Sequence, residues 1–153
     1  MKLTKLIATI AAATFATGGM AQDTVRMGTE GYYPPFNFFD SAGQVKGFDI
    51  DIAKALCQEM GVTCSFVVQD WDGLIPGLLA KKYDAIIASM SITEERKKKV
   101  AFTNKYYNTP AKFVCKKGAM EEFTREQVAE VTAGKQIGVQ RATIHDSFIS
   151  DNG

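Results

Sequence analysis

Histidine, tryptophan and cysteine are scarce in this chain. His145 and Trp71 stand alone of their kind among 153 residues, and there are three cysteines. A single histidine and no close C-x-x-C pair leave no zinc-type ligand set, so neither a metal nor a cofactor is expected. The chain also lacks a P-loop, a G-x-G-x-x-G turn, an H-E-x-x-H pair and a G-x-S-x-G elbow. His145 opens a helical stretch, where polar residues cap or are solvated, and nothing around it asks for a Ser–His–Asp site. Neither sign of charge dominates: the formal net charge is +1 with 23% charged residues. Nucleic acid and anionic membrane surfaces are therefore poor partners. There is no internal repeat. Beyond the N-terminus no segment is apolar enough to cross a bilayer.

What is present is an ordinary globular composition, 46% hydrophobic, long enough for one good core. It is preceded by MKLTKLIATIAAATFATGGMAQ. Lys2 and Lys5 form a basic start, Leu6 to Ala16 an uncharged apolar run, and Gly19-Met20-Ala21 a small-residue cleavage site. This pattern predicts a secretory signal peptide over residues 1–21. Its removal takes two lysines and no acid, leaving a net charge of −1. Export places the cysteines in an oxidising compartment, where Cys57 and Cys64, with six residues between them, either bridge or stay as two buried thiols. Cys115 stands apart from them.

TVRMG (24–28) reads as a strand. FDIDIAKALCQEMG then places Phe48, Ile52, Ala55, Leu56 and Met60 at helical spacing, with Gly61 as the stop. VTCSFVV is a strand by its β-branched and aromatic content. Asp70 or Asp72 is placed to cap a second helix, GLIPGLLAKK. DAIIAS (84–89) is a short apolar run expected to be a strand buried on both faces. Thr93 caps a charged helix, EERKKKVA. Further on, KFVCKKG and QIGVQ read as strands and RATIHDSFISDN as a helix. Strands alternating with helices predict α/β architecture with a mostly parallel sheet.

In such sheets ligands bind beyond the carboxyl ends of the strands. Two suggestive loops fall there. GTEGYYPPFNF offers a carboxylate, Glu30, with aromatic residues on a proline-stiffened loop. SMSITEER offers hydroxyls at Ser89 and Ser91 and places Arg96 in a first helical turn, suited to gripping a carboxylate. The plainer reading of that helix is a solvated face with Glu94 or Glu95 paired to a lysine. Trp71, between two acids in QDWDG, is expected to be half-exposed, and with Tyr33 to flank an aliphatic chain or a cation.

Taken in order, GTEGYYPPFNF, GFDIDIAKALCQEMG, WDGLIPGLLAKKYDAIIASMSITEER and IGVQRAT resemble the extracellular solute-binding proteins of polar amino-acid ABC transporters. The likeness is strongest to the lysine/arginine/ornithine- and opine-binding branch and covers nearly all of residues 23–153. It implies a periplasmic-binding-protein-like fold of two α/β lobes joined by a hinge: lobe 1 over 22–107, the hinge at 108–111, and an incomplete lobe 2 over 112–153. It further implies that Glu30 meets the ligand side chain, that Tyr33 and Trp71 sandwich it, and that Ala88, Ser89 and Ser91 line its main-chain end. Arg96 would bind the α-carboxylate, Thr143 would present a hydroxyl from the second lobe, and Cys57 and Cys64 would form a small disulfide.

The function so implied is periplasmic capture of lysine, arginine, ornithine or an opine, with glutamine as runner-up, by a non-enzymatic monomer that serves an inner-membrane permease. Two departures stand out. The family usually has glycine where this chain has Ala142, and often a hydroxyl residue where it has Ile144. The family's chain also continues past residue 153. A cyclohexadienyl or arogenate dehydratase on the same fold, or the sensor domain of a receptor, are the alternative readings.

Overall fold

In the computed structural model, which describes residues 23–152, the fold is organised around β1 (Thr24–Thr29). The signal peptide expected over residues 1–21 lies outside the described residues. β1 pairs in parallel with two strands further along the chain, Thr63–Val68 and Ala85–Ile86, one on each side. Between β1 and Thr63–Val68 the chain forms an antiparallel meander of very short strands, β2 (Tyr32–Tyr33), β3 (Asn37–Phe39) and β4 (Val45–Lys46), followed by helix α1 (Phe48–Glu59). Thr63–Val68 is then β5, α2 is Leu74–Leu79 and Ala85–Ile86 is β6.

Alternation along the parallel strands sends side chains to two faces. On one face Met27, Cys64, Phe66, Ala85 and Ile87 pack with Ala53 and Cys57 of α1. On the other, Val67, Ile86 and Ala88 pack with Leu74 and Leu78 of α2 and with Tyr83. Each fully buried aliphatic side chain here, such as Ile50 or Leu74, contributes about 1.5–3 kcal/mol. Tyr83 fits because Gly28 and Gly77 leave room: a Cβ on Gly28 would stand 2.5 Å from its ring. Its hydroxyl donates to the Leu74 carbonyl at 2.6 Å. At the opposite end of the sheet from the long loops, Arg26 Nη2 and Nε grip the Asp84 carboxylate at 2.7 and 3.1 Å and tie β6 to β1.

α1 ends at Gly61, with φ of 68°. The Gly61 amide donates to Gln58 O and the Val62 amide to Cys57 O, which is the Schellman closure that glycine favours. That turn reverses the chain into β5 and brings Cys57 and Cys64 into a disulfide. Cys115 is free and exposed.

Several expectations need correction. The buried face of α1 is Asp49, Ile50, Ala53 and Cys57, whereas Leu56 and Met60 are 50% and 56% exposed. Of the apolar residues chosen by spacing, Ile52 is partly buried against the core, while Phe48, Ala55, Leu56 and Met60 are exposed. Neither Asp70 nor Asp72 caps α2. A 3₁₀ turn (Trp71–Gly73) leads into it from Asp70 without a side-chain cap, and Asp72 pairs with Arg141 instead. β6 is shorter than the run DAIIAS and only partly buried, because β1 is its sole partner among the described residues.

The strands expected in KFVCKKG and QIGVQ are irregular. A strand needs a neighbour to complete its hydrogen bonds, and among the described residues neither segment has one; Val114 is 93% exposed. Thr93 does cap the next helix, accepting from the Arg96 amide at 3.1 Å, but α3 (Glu94–Lys97) is a single turn. α4 (Val128–Thr132) and α5 (Ile144–Asn152) complete the described fold.

Candidate functional site

Because β1, β5 and β6 are parallel, the loops that follow them emerge at one edge of the sheet. Glu30 and Tyr33 follow β1, Trp71 follows β5, and Ala88, Ser89, Ser91 and Arg96 follow β6. The turn before α5 brings Thr143 over that edge. All eight line one cavity of about 1030 Å³. A smaller hollow of about 310 Å³ adjoins it at Glu30 and Trp71, lined also by Asp70, Asp72, Gln140 and Arg141.

Glu30 is 8% exposed and accepts a hydrogen bond from the Gln140 side-chain amide. Burial raises its carboxyl pKa above 4.5, the Gln140 bond works against that rise, and the neighbouring Asp70 charge adds to it. Gly31, with φ of 81°, turns the loop directly after it. Tyr33 is 41% exposed and stacks on Phe36 at 4.9 Å, which stacks on Tyr107 at the same distance.

Trp71 is half-buried, as its setting between two acids predicts. Its Nε1 donates to the Ala142 carbonyl at 3.0 Å, and the Arg96 guanidinium lies 5.4 Å from its ring. Arg96 donates to the carbonyls of Ser91 at 2.7 Å and Ala142 at 3.1 Å. Desolvation lowers its pKa, yet an arginine guanidinium stays charged at any ordinary pH. Lys97 pairs with Glu94 at 2.8 Å, so the plain reading of that helix holds for its outer face.

Ala88 is buried. The Ser89 hydroxyl donates to the Asp49 carboxylate. Thr143 spends its hydroxyl hydrogen on the Gln140 carbonyl and accepts from the Asp146 amide, acting as the cap of α5. Ala142, immediately before it, has φ of 61°, a conformation in which glycine is more at ease. That accounts for the glycine the resemblance leads one to expect there.

Four residues around this site escaped the sequence reading: Asn37, Asp49, Tyr106 and Gln140. Asp49 lies in the quoted G-F-D-I-D stretch, but an acid contributes nothing to an apolar pattern. Tyr106 donates to Asp49 at 2.7 Å, and burial together with that carboxylate raises the phenol's pKa.

The sequence profile of the bacterial extracellular solute-binding proteins, family 3, matches residues 25–141. The chain belongs to this family. A curated relative, the L-arginine-binding protein of Pseudomonas aeruginosa, is 46% identical over 151 residues; the match takes in 98% of this chain and 57% of that protein. An ancestral arginine-binding protein bound to arginine superposes with a TM-score of 0.77 at 40% identity, covering 86% of this chain and 56% of the other. The arginine-bound form of domain 1 from TmArgBP gives a TM-score of 0.54 at 48% identity, covering 55% of this chain and 67% of that one. This family-3 chain thus has a periplasmic-binding-protein-like α/β fold and spans just over half the length of the curated relative.

Proposed function

We propose that this family-3 chain captures a cationic amino acid, arginine foremost, in the periplasm for delivery to an inner-membrane ABC permease, and that it binds its ligand without transforming it. One observation carries the reading. The largely buried carboxylate of Glu30 and the half-buried guanidinium of Arg96 line the same cavity, and among the described residues neither is ion-paired. Opposite charges held apart in one cleft complement a molecule with a carboxylate at one end and a cation at the other. Arg96 takes the α-carboxylate, Glu30 the side-chain cation, Tyr33 and Trp71 the methylenes between, and Ala88, Ser89 and Ser91 the backbone around the α-carbon. Lysine, ornithine and opines share this pattern.

Residues 22–107 form the first lobe in this reading, 108–111 the hinge, and 112–153 the beginning of a second lobe that brings Thr143 to the ligand. The arginine-bound domain 1 of TmArgBP supports arginine binding by a chain that carries the first lobe. Glutamine is the second ligand to consider, since Glu30 already accepts from an amide, that of Gln140.

Calorimetric titration of the full-length protein with arginine, lysine, ornithine, octopine, glutamine and leucine tests this. Cationic ligands should bind best and leucine worst. Preference for leucine, or no binding of any of the six, overturns the proposal, and turnover of prephenate or arogenate would place the chain among the dehydratases instead.

A further inference from the structure

Asp49 is 0% exposed, does not line the cavity, and among the described residues pairs with no lysine, arginine or histidine. A carboxylate buried without a cation persists only where hydrogen bonds replace its water. Three side chains supply them here. Asn37 Nδ2 donates at 2.8 Å, Ser89 Oγ at 2.9 and 2.8 Å to the two oxygens, and Tyr106 Oη at 2.7 Å. The acid also sits in the first turn of α1, where the helix dipole favours negative charge.

Each donor belongs to a different segment of the chain. Asn37 lies on β3, and its Oδ1 accepts from the Gly31 amide at 2.8 Å, directly after Glu30. Ser89 begins the loop that leads to Ser91 and Arg96. Its φ of 53° is one that side-chain-bearing residues avoid, and it is pinned twice, by its hydroxyl on Asp49 and by its amide, which donates to Tyr106 Oη at 3.1 Å. Tyr106 belongs to the irregular segment that carries the chain from α3 towards the hinge. It is held there by Phe48 and Tyr107 as well, at ring distances of 6.1 and 5.3 Å. One carboxylate therefore fastens the loop of Glu30, the loop of Ser89 and the departing segment to one another.

We propose that Asp49 is the positioning residue of the cleft. It sets the Glu30 and Ser89 loops at their working separation and transmits movement of the segment around Tyr106 to both. It touches no ligand, and the inference rests on the amino-acid-binding reading above for its effect on affinity.

The two ideas separate in one set of measurements on wild type, Asp49→Asn and Tyr106→Phe. Residue-resolved amide exchange reads the positioning without any ligand. Asp49→Asn should lose protection at the Gly31 and Ser89 amides while the β1–β5 ladder keeps its own, and Tyr106→Phe should lose it at Ser89 alone. Calorimetry reads the consequence. Asp49→Asn should weaken arginine, lysine and glutamine by a similar factor of tenfold or more, since the shared frame is disturbed and not the side-chain partner. Unchanged exchange at Gly31 and Ser89 overturns the positioning role, and so does unchanged affinity in a folded Asp49→Asn. Wild type that binds no amino acid overturns the functional reading, and the exchange data still decide the role of Asp49. If Asp49→Asn does not fold, Tyr106→Phe carries the test at the Ser89 amide and on affinity, and a variant with wild-type exchange there and wild-type affinity sinks the proposal.

Discussion

The Arg96 guanidinium lies 5.4 Å from the Trp71 ring, and both side chains donate to one backbone oxygen, that of Ala142. Two residues from different loops of the sheet edge thus meet the turn that precedes α5. A carboxylate offers two strong acceptor oxygens where this carbonyl offers one, so a ligand's α-carboxylate competes well for the guanidinium.

Arg96→Ala should therefore remove amino-acid binding and leave the fold intact. Loss of one partner of a buried charge-assisted pair costs about 2–5 kcal/mol, roughly thirtyfold to several-thousandfold in affinity. Calorimetry with arginine measures it, beside a circular dichroism spectrum that should not change. Unaltered affinity would reduce Arg96 to a residue that stacks on Trp71.

The φ of 61° at Ala142 leads to a second expectation. A left-handed conformation costs a residue with a Cβ roughly 1–2 kcal/mol, and glycine gives back about 0.4–1 kcal/mol through the freedom of the unfolded chain. Ala142→Gly should thus stabilise the protein by roughly 1 kcal/mol or less. Urea unfolding should show a higher midpoint with an unchanged slope. A lower midpoint would mean that the turn before α5 does not hold this conformation in solution.

The disulfide closes a short loop, and on chain entropy alone it should add about 2–3 kcal/mol. Thiol titration of denatured, exported protein should find a single reactive cysteine, Cys115. A titre of three would show that Cys57 and Cys64 are reduced. Cys57→Ala with Cys64→Ala should lower the urea midpoint without changing the affinity, because neither residue lines the cleft.

Much of this site was legible because its residues follow strands. TVRMG and DAIIAS are recognisable as strands, and a parallel pair fixes which ends their loops share, so Glu30 and Arg96 were bound to face one cleft. What stayed hidden was of another kind. Asp49 is buried by hydrogen bonds, and an acid on a helix signals solvent to any apolar pattern. The two-residue strands of the meander are too short to show a period. The Ala142 carbonyl, which receives both Trp71 and Arg96, is a backbone atom and leaves no mark in the sequence. KFVCKKG has the composition of a strand, yet composition does not reveal whether a neighbour exists.

Asp84 gives a pH dependence of stability. Its hydrogen bonds to Arg26 hold its pKa at about 2, below the usual 3.8. A folded-state pKa below the unfolded one means stability that is complete above pH 3.8 and is lost as pH falls towards 2. Asp84→Asn should flatten the acid limb of a thermal-melting series between those values. Because the pair is exposed, the difference should shrink in high salt. An acid limb identical in wild type and variant would assign the loss to other carboxylates.

In the proposed reading, Glu30 selects the ligand. It sits nearly buried at the junction of the two hollows, with Gly31 turning the loop and Pro34 and Pro35 following Tyr33. A ligand flanked by Tyr33 and Trp71 leaves its side-chain end little water, and a cation there without a partner would be costly. The carboxylate removes that cost. It also penalises a neutral aliphatic ligand, which would leave the acid itself buried and unpaired. Glu30→Gln should therefore weaken arginine and lysine by tenfold or more and glutamine far less. The pH dependence has a defined sign: burial raises the Glu30 pKa above 4.5, and a cation binds the ionised form. Affinity for arginine should accordingly fall as pH drops through that raised value, while affinity for glutamine falls less and the Gln variant shows no such step. The decisive measurement is a titration of arginine, lysine, glutamine and leucine against both proteins at two pH values. A variant that loses all four equally, or a wild type whose arginine affinity ignores the protonation of its carboxylates, would remove Glu30 as the specificity residue and the cationic assignment with it.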